Sequence, residues 1–474
     1  MALLCLVAAA ALLRFLTLDV QSLSNDEPFT VERAAGDLSA LLTSVRTTES
    51  TPPLYYYLAW GGERVFGNGE TGMRLLPAVL GTLLVPVTWA AARVTLPARS
   101  ALIAAALVTF SPLLVWYSQE ARPYALFALL ATLGFLFFVR ALRADRDAPV
   151  ARDLALWSLL SVAAVLTHYF AVFAVGTQAV WLLFGRADLR GRVALAVLPP
   201  ALTGVALLPL LREQEENVPR AWTESFTLSD QLRGSVQELA VGLRWTWLVQ
   251  RPGVLAILGL GTAALVLLVW RGTRAERTGA QPAAGVALVV LLGPVVASLV
   301  GANLVASRNV IAAWPVAAIV AGAGLGAAGA RRIGAALAVA LCVIMLAIDV
   351  AVPLDERLQR DDWEELMAGA RPLGRGEAVA VLRGFENSRV ASYYLPGGGA
   401  PPPGDSVRVR DLYVAGDPNT MAAFLQAASG AGFAPVRQEA NGPLRLALLR
   451  SPSPVVLPAG DVFGLADLVV RRRE

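Results

Sequence analysis

Val254-Leu-Ala-Ile-Leu-Gly-Leu-Gly-Thr-Ala-Ala-Leu-Val-Leu-Leu-Val-Trp270 is an uncharged apolar run closed by Arg251 on one side and Arg271 on the other. A helix rises about 1.5 Å per residue, so a run near 20 residues spans a hydrocarbon core of roughly 30 Å. Ten similar runs bring the expected count to about eleven membrane spans: 3–18, 74–94, 101–115, 123–139, 154–167, 169–184, 193–211, 254–270, 285–301, 310–330 and 333–350. The pair 154–167 and 169–184 is short and shares a turn at His168. Of the 474 residues 56% are hydrophobic and 16% charged, more apolar surface than a soluble chain of this length can hide. The class is an α-helical polytopic membrane protein.

Arginine sets the expected orientation, because lysine is absent and every basic residue is Arg. Alternate loops carry Arg93 and Arg99; Arg140, Arg143, Arg146 and Arg152; Arg186, Arg190 and Arg192; Arg271, Arg274 and Arg277; Arg331 and Arg332. The positive-inside rule makes these loops cytoplasmic. The N-terminus is then cytoplasmic and the region after Val350 extracytoplasmic, in a plasma (bacterial inner) membrane. The first apolar run lacks a small-residue cleavage site and reads as a retained helix. A net charge of +4 spread over loops is topology signal, which excludes a nucleic-acid footprint. Cys5 and Cys342 fall in apolar spans and read as small hydrophobes. A single histidine, His168, excludes two-histidine zinc motifs.

Two domains are expected: 1–350 in the membrane, with 19–73 as a long first outer loop, and 351–474 outside. In the loop, Pro28-Phe-Thr-Val-Glu-Arg begins one helix and Thr51-Pro-Pro-Leu-Tyr-Tyr-Tyr-Leu a second, suited by aromatics and proline placement to the interface. Downstream, Asp361-Asp-Trp-Glu-Glu-Leu-Met and Asn419-Thr-Met-Ala-Ala-Phe-Leu-Gln read as helix starts, the latter capped near Asp417 to Asn419. Ala378-Val-Ala-Val-Leu-Arg and Arg408-Val-Arg-Asp-Leu-Tyr-Val read as strands. Pro396-Gly-Gly-Gly-Ala-Pro-Pro-Pro-Gly404 reads as a loop. The result is a small α/β domain.

The groups that could carry chemistry sit at outer span ends. Asp26 and Glu27 are adjacent acids, so they point to different sides. They serve equally as a catalytic pair or as solvated charges favoured at a helix start. Arg14, Arg122 and Arg308 all break the positive-inside rule, and Arg74 opens a span. Together they suit a lipid phosphate, although each could equally snorkel. Glu120 pairs with Arg122 either locally or functionally. Tyr55, Tyr56 and Tyr124 are interface aromatics within reach of a substrate, and His168 is a structural or a substrate-binding histidine.

Asn25-Asp-Glu-Pro-Phe-Thr, Pro52-Pro-Leu-Tyr-Tyr-Tyr-Leu, Met73-Arg-Leu-Leu-Pro, Trp116-Tyr-Ser-Gln-Glu-Ala-Arg-Pro-Tyr-Ala-Leu, Thr167-His-Tyr-Phe, Arg308 followed by Trp314-Pro, and Asp362-Trp occur in that order. Together they resemble the bacterial branch of glycosyltransferase family 39, related to dolichyl-phosphate-mannose protein mannosyltransferases and to the lipid A aminoarabinose transferase. The resemblance covers about the first 180 residues, with patchy matches to about residue 365. It implies a GT-C fold and inverting transfer of a sugar, mannose-like or another hexose or pentose, from a polyprenyl-phosphate donor. Asp26 matches the family's catalytic aspartate, the general base on an acceptor hydroxyl of a protein, glycan or lipid. Pro28 and Thr51 depart from the family pattern, where a small residue and a histidine are commoner.

The expected assignment follows. Asp26 and Glu27 are catalytic. Arg122, Arg308, Arg74 and Arg14 bind the donor phosphate, and Tyr55, Tyr56, Glu120, Tyr124 and His168 contact substrate. No cofactor is required, while a divalent metal at Asp26 and Glu27 stays open. The rival reading is a non-enzymatic lipid-linked saccharide transporter or assembly scaffold. A transporter predicts charges at mid-span and broken helices there. In this sequence the spans are nearly free of acids and the charges gather at span ends, which favours surface chemistry.

Overall fold

The computed structural model describes residues 1–145, 149–217, 227–242, 247–299, 304–370, 377–382, 387–395, 398–399, 405–416, 418–441, 444–458 and 462–471. Two compact units emerge: Met1–Leu18 with Arg33–Val352, and Asp19–Glu32 with Pro353–Glu474.

The first unit is helical. Each of the eleven apolar runs falls on helix, at Ala2–Phe15, Glu70–Thr95, Ala98–Thr109 with Pro112–Ser118, Tyr124–Arg143, Ala151–Thr167, Ala171–Gly185, Arg190–Ala206 with Leu208–Asn217, Trp247–Arg271, Arg274–Leu299, Ala313–Leu325 and Arg331–Ala351. Among the described residues six helical segments are long and apolar enough to cross a membrane, or seven counting one bent pair. The helices Ala2–Phe15, Ala171–Gly185 and Ala313–Leu325 are apolar but shorter. Large hydrophobics such as Leu255, Leu265 and Val269 stand exposed along Trp247–Arg271. Apolar side chains on both the packed and the open sides of a helix suit hydrocarbon rather than water.

Several boundaries differ from the sequence expectation. The run 285–301 belongs to a helix that already begins at Arg274, while Gly301 lies outside the described residues. The run 310–330 narrows to Ala313–Leu325, flanked by 3-10 turns at Ser307–Val310 and Ala328–Ala330. Its glycines have a packing reason. A Cβ on Gly322 would stand 2.5 Å from the Ser100 carbonyl oxygen, and one on Gly324 would run into the Ala264 carbonyl. Small residues let helix backbones touch where lipid supplies no hydrophobic drive. The first loop holds three helices rather than two: Glu27–Ala35, Leu38–Thr48 and Leu54–Phe66. The unforeseen middle helix is capped by Asp37, whose carboxylate accepts the Ala40 amide at 2.7 Å. The run 101–115 bends by 55° between Ala98–Thr109 and Pro112–Ser118. Pro112 cannot donate to the preceding turn, and Ser111 restarts the helix as its N-cap. Phe135, Phe138, Trp157, Leu182 and Ile319 centre the core of this unit.

The second unit carries a six-stranded sheet in the order β2-β6-β1-β3-β5-β4. The strands are β1 Glu377–Leu382, β2 Gly398–Gly399, β3 Ser406–Gly416, β4 Ala434–Asn441, β5 Leu444–Pro458 and β6 Ala466–Arg471. The β1 and β3 strands are parallel, joined through the helix Asn387–Tyr394, and the other pairs are antiparallel. Both expected strands are present, and the expected loop 396–404 contributes β2, its other residues lying outside the described set. The helix expected near residue 419 runs Pro418–Gly430, with the proposed cap Asp417 outside the described residues. Phe424 on this helix packs with Leu412, Val414, Leu449 and Leu468 of the sheet.

Candidate active site

In the second unit Asp26 and Glu27 follow the sequence logic of adjacent acids. Glu27 is fully buried, and its Oε2 accepts the Ser24 amide at 2.8 Å and pairs with Arg360 at 3.1 Å. The flanking strand of chain is tied down as well. Ser22 donates to Asp362 Oδ1 at 2.9 Å, the Leu23 amide donates to the Tyr394 hydroxyl at 2.7 Å, and Gln21 Oε1 accepts the Arg360 amide at 3.1 Å. Asp26 is half-buried at the turn these bonds fix, directly before the helix Glu27–Ala35. A hard cation here would have to displace a guanidinium from Glu27. Among the described residues no group of three or more His, Cys, Asp or Glu is set to hold a metal.

In the first unit the centre of the polar interior is Glu49, in the turn between Leu38–Thr48 and Leu54–Phe66. Arg122 grips it bidentately, Nη1 to Oε2 at 2.9 Å and Nη2 to Oε1 at 3.0 Å. Arg33 adds a third bond at 2.8 Å and spends its other donors on Ser44 and Thr48. Burial alone would push the Glu49 carboxyl up, but Arg122 and Arg33 outweigh it and hold it well below the usual carboxylate range. Tyr56 lies beneath both cations, its ring centroid 5.0 Å from Arg33 Cζ and 5.9 Å from Arg122 Cζ. Its hydroxyl meets Thr51 at 3.1 Å, and Tyr55 packs edge-on against it. Gln214 ties this turn to the rest, donating to the Val45 and Thr51 carbonyls while accepting from the Tyr169 hydroxyl.

His168 completes the cluster from the turn between two helices. It is buried, stacked on Phe127 at 4.8 Å, and its Nδ1 accepts the Phe170 amide at 3.3 Å. Burial first, then Arg308 and Arg122, lower its pKa to about 3, with Glu49 opposing weakly. The ring is therefore neutral, with its proton on Nε2. Both arginines thus act electrostatically on one imidazole. Arg308, half-buried on the turn Ser307–Val310, also acts on Tyr117, as do Glu238, Glu120 and Tyr124. Tyr117 donates to Glu238 and packs against Tyr124 at 4.8 Å.

A pH dependence follows from His168. Between pH 6.5 and about 3 the folded imidazole stays neutral while the unfolded one binds a proton, so stability falls as pH falls through that window. His168→Gln should flatten the decline of the thermal midpoint between pH 6.5 and 4.5 in detergent. An unchanged slope would show that other groups govern it.

Arg14 and Arg74 are held elsewhere in the first unit. Arg14 is fully buried at the 55° bend, donating to the carbonyls of Val108 and Thr109 and to Ser118 Oγ, each at 3.2 Å. A broken helix leaves carbonyls without amide partners, and this guanidinium satisfies two of them. Arg74 donates to the Leu18 carbonyl at 2.8 Å. Gly81 exists to let these parts meet: a Cβ there would overlap Ser118 Oγ and stand 2.7 Å from Ser118 Cβ and 3.1 Å from Arg14 Nε. Gly81→Ala should cost about 1–3 kcal/mol of stability. Gly61→Ala, with open space around it, is the control. Matching midpoints for the two variants would refute the close packing.

Arg122 and Tyr56 thus meet at Glu49, with Tyr55 against Tyr56, while Tyr124 lies between Tyr117 and His168, and Arg308 and Glu120 act electrostatically on this neighbourhood. Glu49, Arg33 and Glu238 belong there and were not foreseen. The available hint was an acid in Thr47-Thr-Glu-Ser-Thr, a polar stretch just before an aromatic helix.

Residues 50–209 match the family model described as dolichyl-phosphate-mannose-protein mannosyltransferase. In fold the chain is similar to ArnT from Cupriavidus metallidurans in the apo state, with a TM-score of 0.62 and 16% identity over 94% of this chain and 97% of that one. The same protein bound to undecaprenyl phosphate gives 0.57 and 15% over the same shares. The archaeal oligosaccharyltransferase AglB from Archaeoglobus fulgidus, in complex with an inhibitory peptide and a dolichol-phosphate, gives 0.54 and 11% over 96% of this chain and 76% of that one. No curated protein matches the chain by sequence.

Proposed function

We propose, from the premise that this chain is a glycosyltransferase of the GT-C, family 39-like kind, that it transfers a sugar, mannose-like or another hexose or pentose, from a polyprenyl monophosphate to an acceptor hydroxyl at the outer face of the plasma membrane. The observation that carries the reading is a buried His168 inside a helical membrane unit on which both Arg122 and Arg308 act electrostatically. A sugar phosphoester already holds a good leaving group. The protein must then orient the acceptor, take its proton and stabilise the departing phosphate. Asp26 takes the proton, and attack on the anomeric carbon proceeds with inversion. Arg308 and Arg122 offset the phosphate charge, and the Nε2–H of His168 adds an uncharged donor. Glu27 is a positioning residue, spent on Arg360 to hold the Asp26 turn. Arg14 and Arg74 act through the fold rather than on the donor. The acceptor is a protein, glycan or lipid, and the donor's tail lies among the membrane helices, as polyprenyl phosphates bound to fold relatives suggest.

The test is transfer from a panel of radiolabelled polyprenyl-phosphate sugars to membrane extracts by the purified chain. Arg308→Gln should weaken capture of undecaprenyl phosphate about tenfold or more, the loss of one charge-assisted bond. Absence of transfer from every donor by well-folded protein would overturn the reading.

A further inference from the structure

The helix Leu228–Val241 turns an unusual face inward. Gln231, Gly234, Ser235 and Glu238 fall at i, i+3, i+4 and i+7, and a helix packed on protein normally shows leucine or valine along such a stripe. This helix packs on Pro112–Ser118, which carries Tyr117, and on the 3-10 turn Ser307–Val310, which carries Arg308. Glu238 accepts the Tyr117 hydroxyl. Two hydroxyls on these facing elements, Ser235 Oγ and Ser307 Oγ, are buried and have no hydrogen-bond partner among the described residues. Buried hydroxyls are nearly always bonded, because leaving one unmade forfeits its hydration without return. Two of them on adjoining elements, beside a carboxylate and a phenol, suit a ligand that brings its own hydroxyls.

We propose that this face is the sugar subsite of the donor: Ser235, Ser307 and the Glu238–Tyr117 pair bind ring hydroxyls of a neutral sugar. The proposal rests on the transferase reading and narrows its substrate. Glu238 and Glu120 both act on Tyr117, and Arg308 opposes them. A carboxylated sugar would meet repulsion there, and a phosphate would be turned away from Glu238 and toward Arg308. A carboxylate accepting from neighbouring hydroxyls suits a polyol without a carboxylate of its own, and the positions of the two serines discriminate among its epimers.

The experiment compares binding of bare undecaprenyl phosphate with mannosyl, glucosyl, galactosyl and glucuronosyl derivatives of one chain length, then follows transfer. Wild type should bind a neutral glycosylated donor more tightly than the bare phosphate and discriminate against the glucuronosyl one. Ser235→Ala and Ser307→Ala should each erase about tenfold of that difference while leaving bare phosphate binding unchanged, and Glu238→Gln should erase a similar share of it. Glu238→Gln should also relax the exclusion of the glucuronosyl donor. Equal affinity of wild type for glycosylated and bare phosphate overturns the subsite, as does a serine variant that gains thermal stability with sugar preference intact. Failure of transfer despite sugar-dependent binding would overturn the transferase reading and leave the subsite standing.

Discussion

Asp26→Asn should lower the single-turnover rate of sugar transfer by about a hundred- to ten-thousand-fold, the usual contribution of a positioned general base, while donor affinity stays at the wild-type level. Asparagine keeps the size and hydrogen-bonding outline of aspartate but cannot accept the acceptor's proton at neutral pH. The turn itself should survive, because its anchors are Glu27 on Arg360, Ser22 on Asp362 and Leu23 on Tyr394. Glu27→Gln gives the contrasting signature. It leaves Arg360 facing a neutral amide in a buried site, so the thermal midpoint should drop together with the rate. An Asp26→Asn protein that transfers at more than half the wild-type rate would remove Asp26 as the base.

Glu49→Ala should be the most damaging change to stability, costing about 3–5 kcal/mol, the range for breaking a buried ion pair by removing one partner. The substitution would strand two guanidiniums near one phenol with no counter-charge. Glu49→Gln keeps the shape and should fall between wild type and alanine. The informative measurement is the double variant Glu49→Gln/Arg122→Met. Removing the charges on both sides should recover part of the loss, because the remaining Arg33 still has Ser44 and Thr48. Additive losses in thermal unfolding would mean that the two side chains do not act as a pair. Since Glu49 is held well below the carboxylate range, its contribution is present above the unfolded value near 4.5 and is lost as pH falls below it.

What could be read in advance, and what could not, separates by interaction range. Apolar length marked the apolar helices of the first unit, since a run such as 254–270 has no other stable use, but not Leu38–Thr48 or Leu228–Val241. A short apolar run marked β1, which is buried along its length, and partial alternation marked β3. The position of Arg14 was visible as a charge at a span end, but its role was not. Its acceptors are Val108 and Thr109, far along the chain, and they became acceptors only because the helix breaks at Pro112. Glu49 was missed for the same reason. Nothing in Thr47-Thr-Glu-Ser-Thr has a period, and its partner Arg122 lies 73 residues away. The shortening of 310–330 to Ala313–Leu325 reflects tertiary contact too, with Gly322 and Gly324 set against backbone of other helices.

The bonds that pin the Asp26 turn reach from residues 21–27 to residues 360–394. During synthesis the nascent chain would thread nearly all of its helices into the bilayer before those distant partners leave the ribosome. The acid near the start of the polypeptide would therefore be the last part of the machinery to be locked. A chain terminated between residues 352 and 360 would carry the helices of the first unit yet lack Arg360, Asp362 and Tyr394, the partners that hold the turn at residues 21–27.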